Sequence, residues 1–222
     1  MNKHLLPVFA LSTLLFASCA TETSRTIETP QVTAASQPYR GVQTSLAVGK
    51  FENRSNNLNG IFSDGVDRLG NQAKTILVGH LQQSGKFRVL ERTNMEELKN
   101  EAKLSGTAQS LAGAKYVITG DITEFGRKQV GDHQLWGVLG RGTSQIAYAK
   151  ATLNVVSVHT SEVVFSAKGA GEYALSEREI IGFGGNSGYD STLNGKVLDL
   201  AIREAVNNLT AGIDSGAWQP DK

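Results

Sequence analysis

The stretch YVITGDIT, residues 116–123, decides which class of fold the sequence specifies. Its apolar residues Tyr116, Ile118 and Ile122 alternate with threonine and aspartate, which is the period of a β-strand with one buried and one polar face. A strand of this kind needs neighbouring strands beside it and another layer over its apolar face. The stretch therefore predicts one strand of a sheet that is covered by helices.

The residues before this strand predict two strands and two helices. Strands are expected around residues 46–51 and 87–90, where apolar residues cluster. A helix is expected over residues 63–83, because its apolar residues recur at three- and four-residue spacing up to Gly85, which can end it in the left-handed conformation. The pair Thr93 and Glu96 has the Thr-x-x-Glu spacing of a capping box, which predicts the start of a second helix.

The residues after this strand complete the pattern. A strand over residues 146–158 leads through the turn at 159–162 into a further strand at 163–165. A last helix is expected over residues 192–211, which carry one apolar stripe. The order is β-α-β-α-β-β-β-α, so the predicted class is α+β (mixed α/β), a mixed sheet covered by helices over residues 41–218, with a short tail at 219–222.

Two long glycine-rich segments interrupt this domain, at about 126–149 and 164–191. Connections of such length are usually functional or disordered. In the second segment, small and apolar residues alternate with Lys168, Glu172 and Ser176. Alternating limbs of about 10 residues are typical of hairpins in a membrane barrel. We therefore expect two long β-hairpins.

The N-terminus predicts a bacterial secretory signal. An apolar run over residues 5–16 is followed by Ala17, Ser18 and Cys19, the only cysteine in the chain. Residues 15–19 have the arrangement of a lipobox, so residues 1–18 are expected to be removed and Cys19 to be acylated. Ala20 favours the outer membrane, and residues 20–40 are expected to form a flexible tether. An ordinary signal peptide with a chance cysteine is the alternative.

Composition and spacing argue against several functions. Twenty-two basic and 21 acidic residues give a formal charge of +1, which does not favour a nucleic-acid partner. The histidines are scattered and an acylated Cys19 supplies no thiol, so neither a metal site nor a catalytic site is expected. The chain is interpreted as a protein that is not an enzyme and has no cofactor except the covalent lipid on Cys19.

Several segments together resemble the curli production assembly/transport lipoproteins, the CsgG family. The resemblance lies in the order of short motifs across about 180 residues. These motifs are the lipobox, Val89-Leu90-Glu91-Arg92, Val117 to Ile122, Leu153 to Val158, the turn Thr160-Ser161-Glu162, and Gly212-Ile213-Asp214-Ser215-Gly216-Ala217-Trp218.

This resemblance implies an outer-membrane lipoprotein whose periplasmic domains form a homo-oligomeric ring. Each subunit would lend two hairpins to a shared β-barrel that exports unfolded curli subunits with accessory curli proteins. A loop after the first strand narrows the channel in the family, and by position its candidates here are Asn59, Ile61 and Phe62. A polar surface loop is the alternative interpretation of this segment.

The resemblance and the alternation together predict lipid-facing residues in the second hairpin: Tyr173, Leu175, Ile181 and Phe183. The leading function is passive protein export through a ring of the curli-channel type. The alternative is a periplasmic adaptor, an outer-membrane lipoprotein that binds and activates an envelope protein such as a cell-wall synthase.

Overall fold

The computed structural model describes residues 30–36, 38–56, 67–133, 141–178 and 193–220. Within these ranges the elements follow the order β-α-β-α-β-β-β-α, which confirms the predicted α+β class. The strands are β1 (Thr44–Asn53), β2 (Phe87–Leu90), β3 (Tyr116–His133), β4 (Arg141–Ser157) and β5 (Val163–Arg178). The helices are α1 (Arg68–Gln83), α2 (Met95–Leu104) and α3 (Leu193–Asp214).

The strands form one mixed sheet in the order β2-β1-β3-β4-β5. β1 pairs in parallel with β2 on one side and with β3 on the other. β3, β4 and β5 then pair antiparallel through two hairpin connections. The stretch at residues 116–123 forms the beginning of β3, the middle strand. It therefore has neighbouring strands on both sides, as predicted.

The core lies between one face of this sheet and the helices α1 and α3. The largest fully buried side chains come from all of these elements. They include Leu46, Ile118, Ile122, Leu153 and Val155 from the sheet, Leu77 and Leu81 from α1, and Leu198, Ile202 and Leu209 from α3. Each contributes about 1.5–3 kcal/mol by leaving water. The opposite face of the sheet carries exposed charged residues such as Lys150 and Lys168.

The start of α1 differs from the prediction. The helix begins at Arg68, and the carboxylate of Asp67 caps it by accepting a hydrogen bond from the amide of Gly70 at 2.7 Å. The same carboxylate accepts the amide of Asn53 at 2.7 Å, which fixes the end of β1 against the helix start. The end of α1 is as predicted, because Gly85 has a φ of +68°.

The predicted capping box at the start of α2 was wrong. Asn94 is the N-cap residue and makes no side-chain cap bond. The carboxylate of Glu91 instead accepts the amides of Thr93 and Asn94, the latter at 3.1 Å. The backbone hydrogen bond from Thr93 has the largest effect and lowers the pKa of Glu91; burial opposes it, and the bond from Asn94 lowers the pKa further. The hydroxyl of Thr93 accepts a bond from Lys74 at 3.0 Å and does not cap the helix.

The ordered domain begins earlier than predicted, so the tether prediction over residues 20–40 was too long. A short 3-10 helix spans Thr33–Ser36, and the preceding Val32 is only 2% exposed within the core. The amide of Thr33 donates to the side chain of Asn207 on α3 at 2.9 Å. We name residues 31–36 the N-terminal strap, because they attach the chain to α3.

Membrane-spanning segments of the helical kind are absent from the described ranges, where no helix is both long enough and apolar enough to cross a bilayer.

Candidate functional site

The most distinctive feature is a three-stranded ribbon that continues beyond the rest of the sheet. β1 ends at Asn53, which pairs with Ile122, whereas β3 runs on to His133. β4 and β5 accompany it, with Glu124 opposite Lys150 and Lys150 opposite Ala170. We define the ribbon as residues 123–133 of β3, 141–150 of β4 and 170–178 of β5. The predicted hairpin near 126–149 is therefore a continuation of two core strands.

The base of the ribbon, at the end of β1, is marked by paired charges. The guanidinium of Arg54 contacts Asp121 on β3 at 2.7 Å and Glu52 at 3.1 Å. Glu52 also pairs with Lys50, and the hydrogen bond and charge of that lysine, followed by the charge of Arg54, lower the pKa of Glu52. These pairs are solvent-accessible, so each contributes little stability. They mark the level at which the ribbon leaves the sheet.

The two faces of the ribbon differ, as the sequence alternation predicted. Phe125, Ala147 and Ala149 are buried on the face toward α3. On the opposite face, Glu124 and Lys150 form an exposed ion pair at 2.8 Å, and Glu172 is exposed. The small and apolar side of β5 therefore contacts protein in the single chain, because α3 lies over it.

Glycines bring α3 unusually close to β5. A methyl group added at Gly169 would overlap the carbonyl of Ala201 and the amide of Ala205. One added at Gly171 would lie 2.7 Å from the Cβ of Leu200. Only glycine leaves room for this approach. At Gly169 and Gly171, the alternation of small and polar residues in β5 therefore serves the packing of α3.

Above these glycines, α3 contacts the ribbon through polar groups. Arg127, Ala147 and Tyr173 lie in one row across β3, β4 and β5. The guanidinium of Arg127 donates from Nε and Nη2 to Oδ1 of Asn194, at 2.9 and 2.7 Å. The ammonium of Lys196 lies 5.0 Å from the centre of the Tyr173 ring. The sequence patterns gave no signal for these contacts, because they join polar residues about 20 to 70 positions apart.

Both long edges of the ribbon lack a neighbouring strand among the described residues. β1 pairs with β3 only as far as Ile122. β5 pairs with β4 on one side, and its other side is met at one point by Asn208, whose side chain donates to the carbonyl of Lys168 at 2.8 Å. Unpaired strand edges are sites at which a further strand can add. The β3 edge opens beyond Ile122, where β1 has ended, whereas β5 is the edge strand of the sheet along its whole described length.

The predicted lipid-facing residues fall partly within this ribbon. Tyr173 is half-buried and packs against the core beneath α3, and its exposure to lipid stays a prediction. Leu175 lies in β5 opposite Gln145. The remaining predicted positions lie outside the described residues: Cys19, Asn59, Ile61, Phe62, Ile181 and Phe183.

A second feature is the helix α2, which buries none of its residues. Its apolar side holds Met95, Leu98 and Ala102, and Leu98 is 42% exposed. Leu104 at its end is 81% exposed. Polar contacts around Glu91 and Thr93 attach the start of the helix, so its apolar side stays available to a partner.

No group of three or more metal-binding side chains occurs in the ranges that the structure describes. The absence of a cofactor and of enzymatic activity stay predictions.

The fold and the ribbon define an α+β domain that extends a strand ribbon with open edges beyond its core. Residues 27–221 match the family of the curli production assembly/transport component CsgG, and the chain belongs to this family. The resemblance inferred from the sequence motifs is thus confirmed.

Among its relatives is a protein of Neisseria meningitidis serogroup B (strain ATCC BAA-335 / MC58) named "Putative lipoprotein NMB1126/NMB1164". The two are 64% identical over 215 residues, which cover 97% of this chain and 96% of the relative.

Solved structures with a similar chain path include two bacterial proteins. The PelC dodecamer from Paraburkholderia phytofirmans is 15% identical, with a TM-score of 0.36 over 84% of this chain and 98% of that chain. The lipoprotein GNA1162 from Neisseria meningitidis is 12% identical, with a TM-score of 0.35 over 78% of this chain and 98% of that chain. The family assignment therefore rests on the sequence matches.

Proposed function

We propose that this protein is a lipid-anchored outer-membrane subunit of a homo-oligomeric ring that passively exports an unfolded, curli-type polypeptide. The length of the ribbon supports this most directly. Eleven residues of β3 follow Ile122, and at about 3.3 Å per residue they extend about 36 Å. A membrane barrel needs an apolar band of roughly 25 Å, crossed by about 9–11 tilted residues. The ribbon is long enough for this task.

The open edges of the ribbon supply a reason for assembly. A strand edge in lipid must be paired, because no water is present to satisfy its backbone groups. The β5 side of one copy can meet the β3 side of the next, since β5 is open along its outer edge and β3 is open beyond Ile122. Such head-to-tail contacts generate a ring when the rotation closes. Each copy would then contribute its ribbon to one shared barrel.

The remaining parts of the chain are assigned to this function by position. Acylation of Cys19 holds the subunit on the periplasmic side of the outer membrane. Asn59, Ile61 and Phe62 follow β1, which ends at the base of the ribbon, and they line the constriction of the channel. Export is passive in this proposal and uses no catalytic residue, nucleotide or metal.

Conductance measurements test the channel. The lipidated full chain is purified in detergent, its assembly size is measured by electron microscopy, and it is added to planar lipid bilayers. We expect rings and stable ion conductance.

Glu172→Arg should shift ion selectivity towards anions, because Glu172 is exposed on the face away from α3. Glu97→Arg on α2 is the matched control and should leave selectivity unchanged. Rings that never conduct would reject the channel.

A second candidate is the periplasmic adaptor, which the uncovered helix α2 favours. Leu98 and Leu104 are exposed on an amphipathic helix that has no fully buried residue. The β3 limb of the ribbon also contains few apolar residues. Val130 is the apolar residue between 127 and 133, and a charged residue facing lipid near the midplane costs roughly 2–4 kcal/mol. An adaptor would dock an envelope protein on α2 and keep the ribbon in the periplasm.

Cross-linking in intact cells tests the adaptor. Leu98→Lys should abolish cross-links from α2 to an envelope protein, whereas Asn100→Lys on the same helix should preserve them. A monomer or dimer without conductance, together with this loss, would establish the adaptor. Full conductance by Leu98→Lys without any cross-linked partner would reject it.

A further inference from the structure

A row of apolar side chains crosses the face of the sheet that points away from α1 and α3. Val117 alternates with the buried Tyr116 and Ile118, so its side chain points to this opposite face. Its register continues the row into the other four strands, through Leu90 on β2, Ala47 on β1, Val156 on β4 and Val163 on β5. The row therefore connects the two edge strands of the sheet, β2 and β5.

The exposure of this row rises toward β5. Ala47 is 6% exposed, Val117 and Val156 are half-buried, and Val163 in the edge strand is 60% exposed. Val158 continues the ladder with β3 two residues after Val156, so it shares this face, and it is 53% exposed. We name these four valines the valine strip. Exposed apolar patches of this kind are typical of interaction sites.

The helix α2 offers a second exposed apolar surface, at the opposite edge of the sheet. It follows Leu90, the last residue of β2 and the member of the row at that edge. The carboxylate of Glu91 holds the start of the helix there by accepting the amides of Thr93 and Asn94. α2 therefore begins at the level of the row on the β2 side, whereas the valine strip ends the row on the β5 side.

We propose that the valine strip of one copy binds the apolar side of α2 of the next copy in the ring. This inference rests on the homo-oligomeric ring of the proposed function. That ring brings the β5 edge of one copy to the β3 side of the next, and β1 and β2 lie on that same side. A head-to-tail contact joins two different surfaces of the subunit. The strip and α2 meet this condition, because they are apolar, exposed and at one level on opposite edges.

The two surfaces also match in size. From Val117 to Val163 the strip crosses two strand spacings, which is about 10 Å. The apolar side of α2 runs from Met95 to Ala102, and seven residues of helix also extend about 10 Å. Leu98 lies between these two residues and is the more exposed one. A helix that packs its apolar side on a sheet is the arrangement that α1 and α3 already form on the other face.

Introduced cysteines test the contact, because an acylated Cys19 leaves no other thiol in the chain. The lipidated full chain with both Leu98→Cys and Val163→Cys is assembled in detergent and oxidised. We expect a ladder of disulfide-linked chains beyond the dimer, since each copy links to two neighbours. Mixing chains that carry only one of the two substitutions should give a linked dimer and nothing larger. Asn100→Cys combined with Val163→Cys is the matched control and should give no ladder.

Charge substitutions measure how much the contact contributes to assembly. Leu98→Lys and Val163→Glu should each raise about tenfold the concentration at which half of the chains are in rings, because each places an unpaired charge in an apolar contact. Both changes in one chain should assemble better than either alone, since the introduced charges are then opposite and face each other. Both residues are exposed, so circular dichroism should show an unchanged fold. Asn100→Lys is the control and should assemble like the parent.

The outcomes separate this contact from the channel. A ladder that stops at the dimer, or unchanged assembly of Leu98→Lys and Val163→Glu, would reject the contact. Linked rings that never conduct would retain the contact and reject the channel. Conducting rings in which Leu98→Cys and Val163→Cys do not link would retain the channel and reject the contact. A parent that stays monomeric would reject both.

Discussion

Trp218 joins parts of the chain that are far apart in sequence. Its indole is 5% exposed and stacks between Phe87 on β2 and Phe165 on β5, at centroid distances of 6.4 and 5.9 Å. Tyr116 at the start of β3 meets it edge-on at 5.3 Å. The family-like ending therefore has a packing role in the core of the domain.

Replacing Trp218 measures this role. We expect Trp218→Ala to lower the free energy of unfolding by about 3 kcal/mol, because a large ring leaves a cavity among three other rings. Trp218→Phe should lose less, since a smaller ring can still stack. Urea denaturation followed by circular dichroism gives both values. Equal free energies of unfolding for the parent and Trp218→Ala would show that the three neighbouring rings fill the cavity without loss of stability.

Glu91 replaces the capping box that the sequence suggested. Its carboxylate receives two backbone amides at the start of α2, and these bonds lower its pKa in the folded state. A carboxyl whose folded pKa lies below its unfolded value stabilises the fold above the unfolded value of about 4.3. That contribution disappears as the pH falls through the folded pKa.

Glu91→Gln should therefore destabilise the protein at pH 7 by about 1 kcal/mol, the usual size of a helix cap. Parent and variant should approach equal stability below the folded pKa of Glu91, where the parent carboxyl is also neutral. Thermal melting at pH 7 and in acid tests this convergence. Glu96→Gln serves as the control, and a difference between parent and Glu91→Gln that is constant with pH would contradict the assignment.

The packing of α3 on β5 shows which part of the fold could be foreseen. The period of three and four in α3 and the period of two in β5 were both visible in the sequence, so the elements and their order were predicted. What covers the apolar side of β5 was not visible. Small and apolar residues alternate with polar ones both in a strand that faces lipid and in a strand that faces a helix. In this chain, the glycines of β5 lie opposite Ala201 and Ala205 of α3, so the strand faces the helix there.

Gly169→Ala tests that close approach. We expect it to lower the free energy of unfolding by about 1–3 kcal/mol, because the added methyl must push α3 away from β5. Gly113→Ala is the matched control, since nothing lies within 4 Å of a methyl group added there. Thermal unfolding of the two variants provides the comparison. Equal melting temperatures would mean that α3 shifts freely on the strand.

In the proposed channel, the lipid on Cys19 and the ribbon must reach the same bilayer. The N-terminal strap binds α3 at Asn207, whereas Asn194 on the same helix contacts Arg127 of the ribbon. Thirteen residues of helix separate these points by about 20 Å. Residues 20–30 between Cys19 and the strap can extend at most about 40 Å. A lipid on Cys19 can therefore reach a bilayer at the level of the ribbon while the strap stays bound.

Replacing Cys19, the residue that we propose is acylated, tests whether a lipid is needed for this attachment. We expect Cys19→Ser to lack the acyl chains and to appear in the soluble periplasmic fraction, because a ribbon that has not entered the membrane has no other anchor. Cell fractionation and mass spectrometry of the mature N-terminus measure both effects, and Thr21→Ala is the control that keeps Cys19. Complete retention of Cys19→Ser in the outer membrane would show that the ribbon anchors the protein without lipid. Release into the periplasm without rings would instead show that the anchor is what brings the copies together.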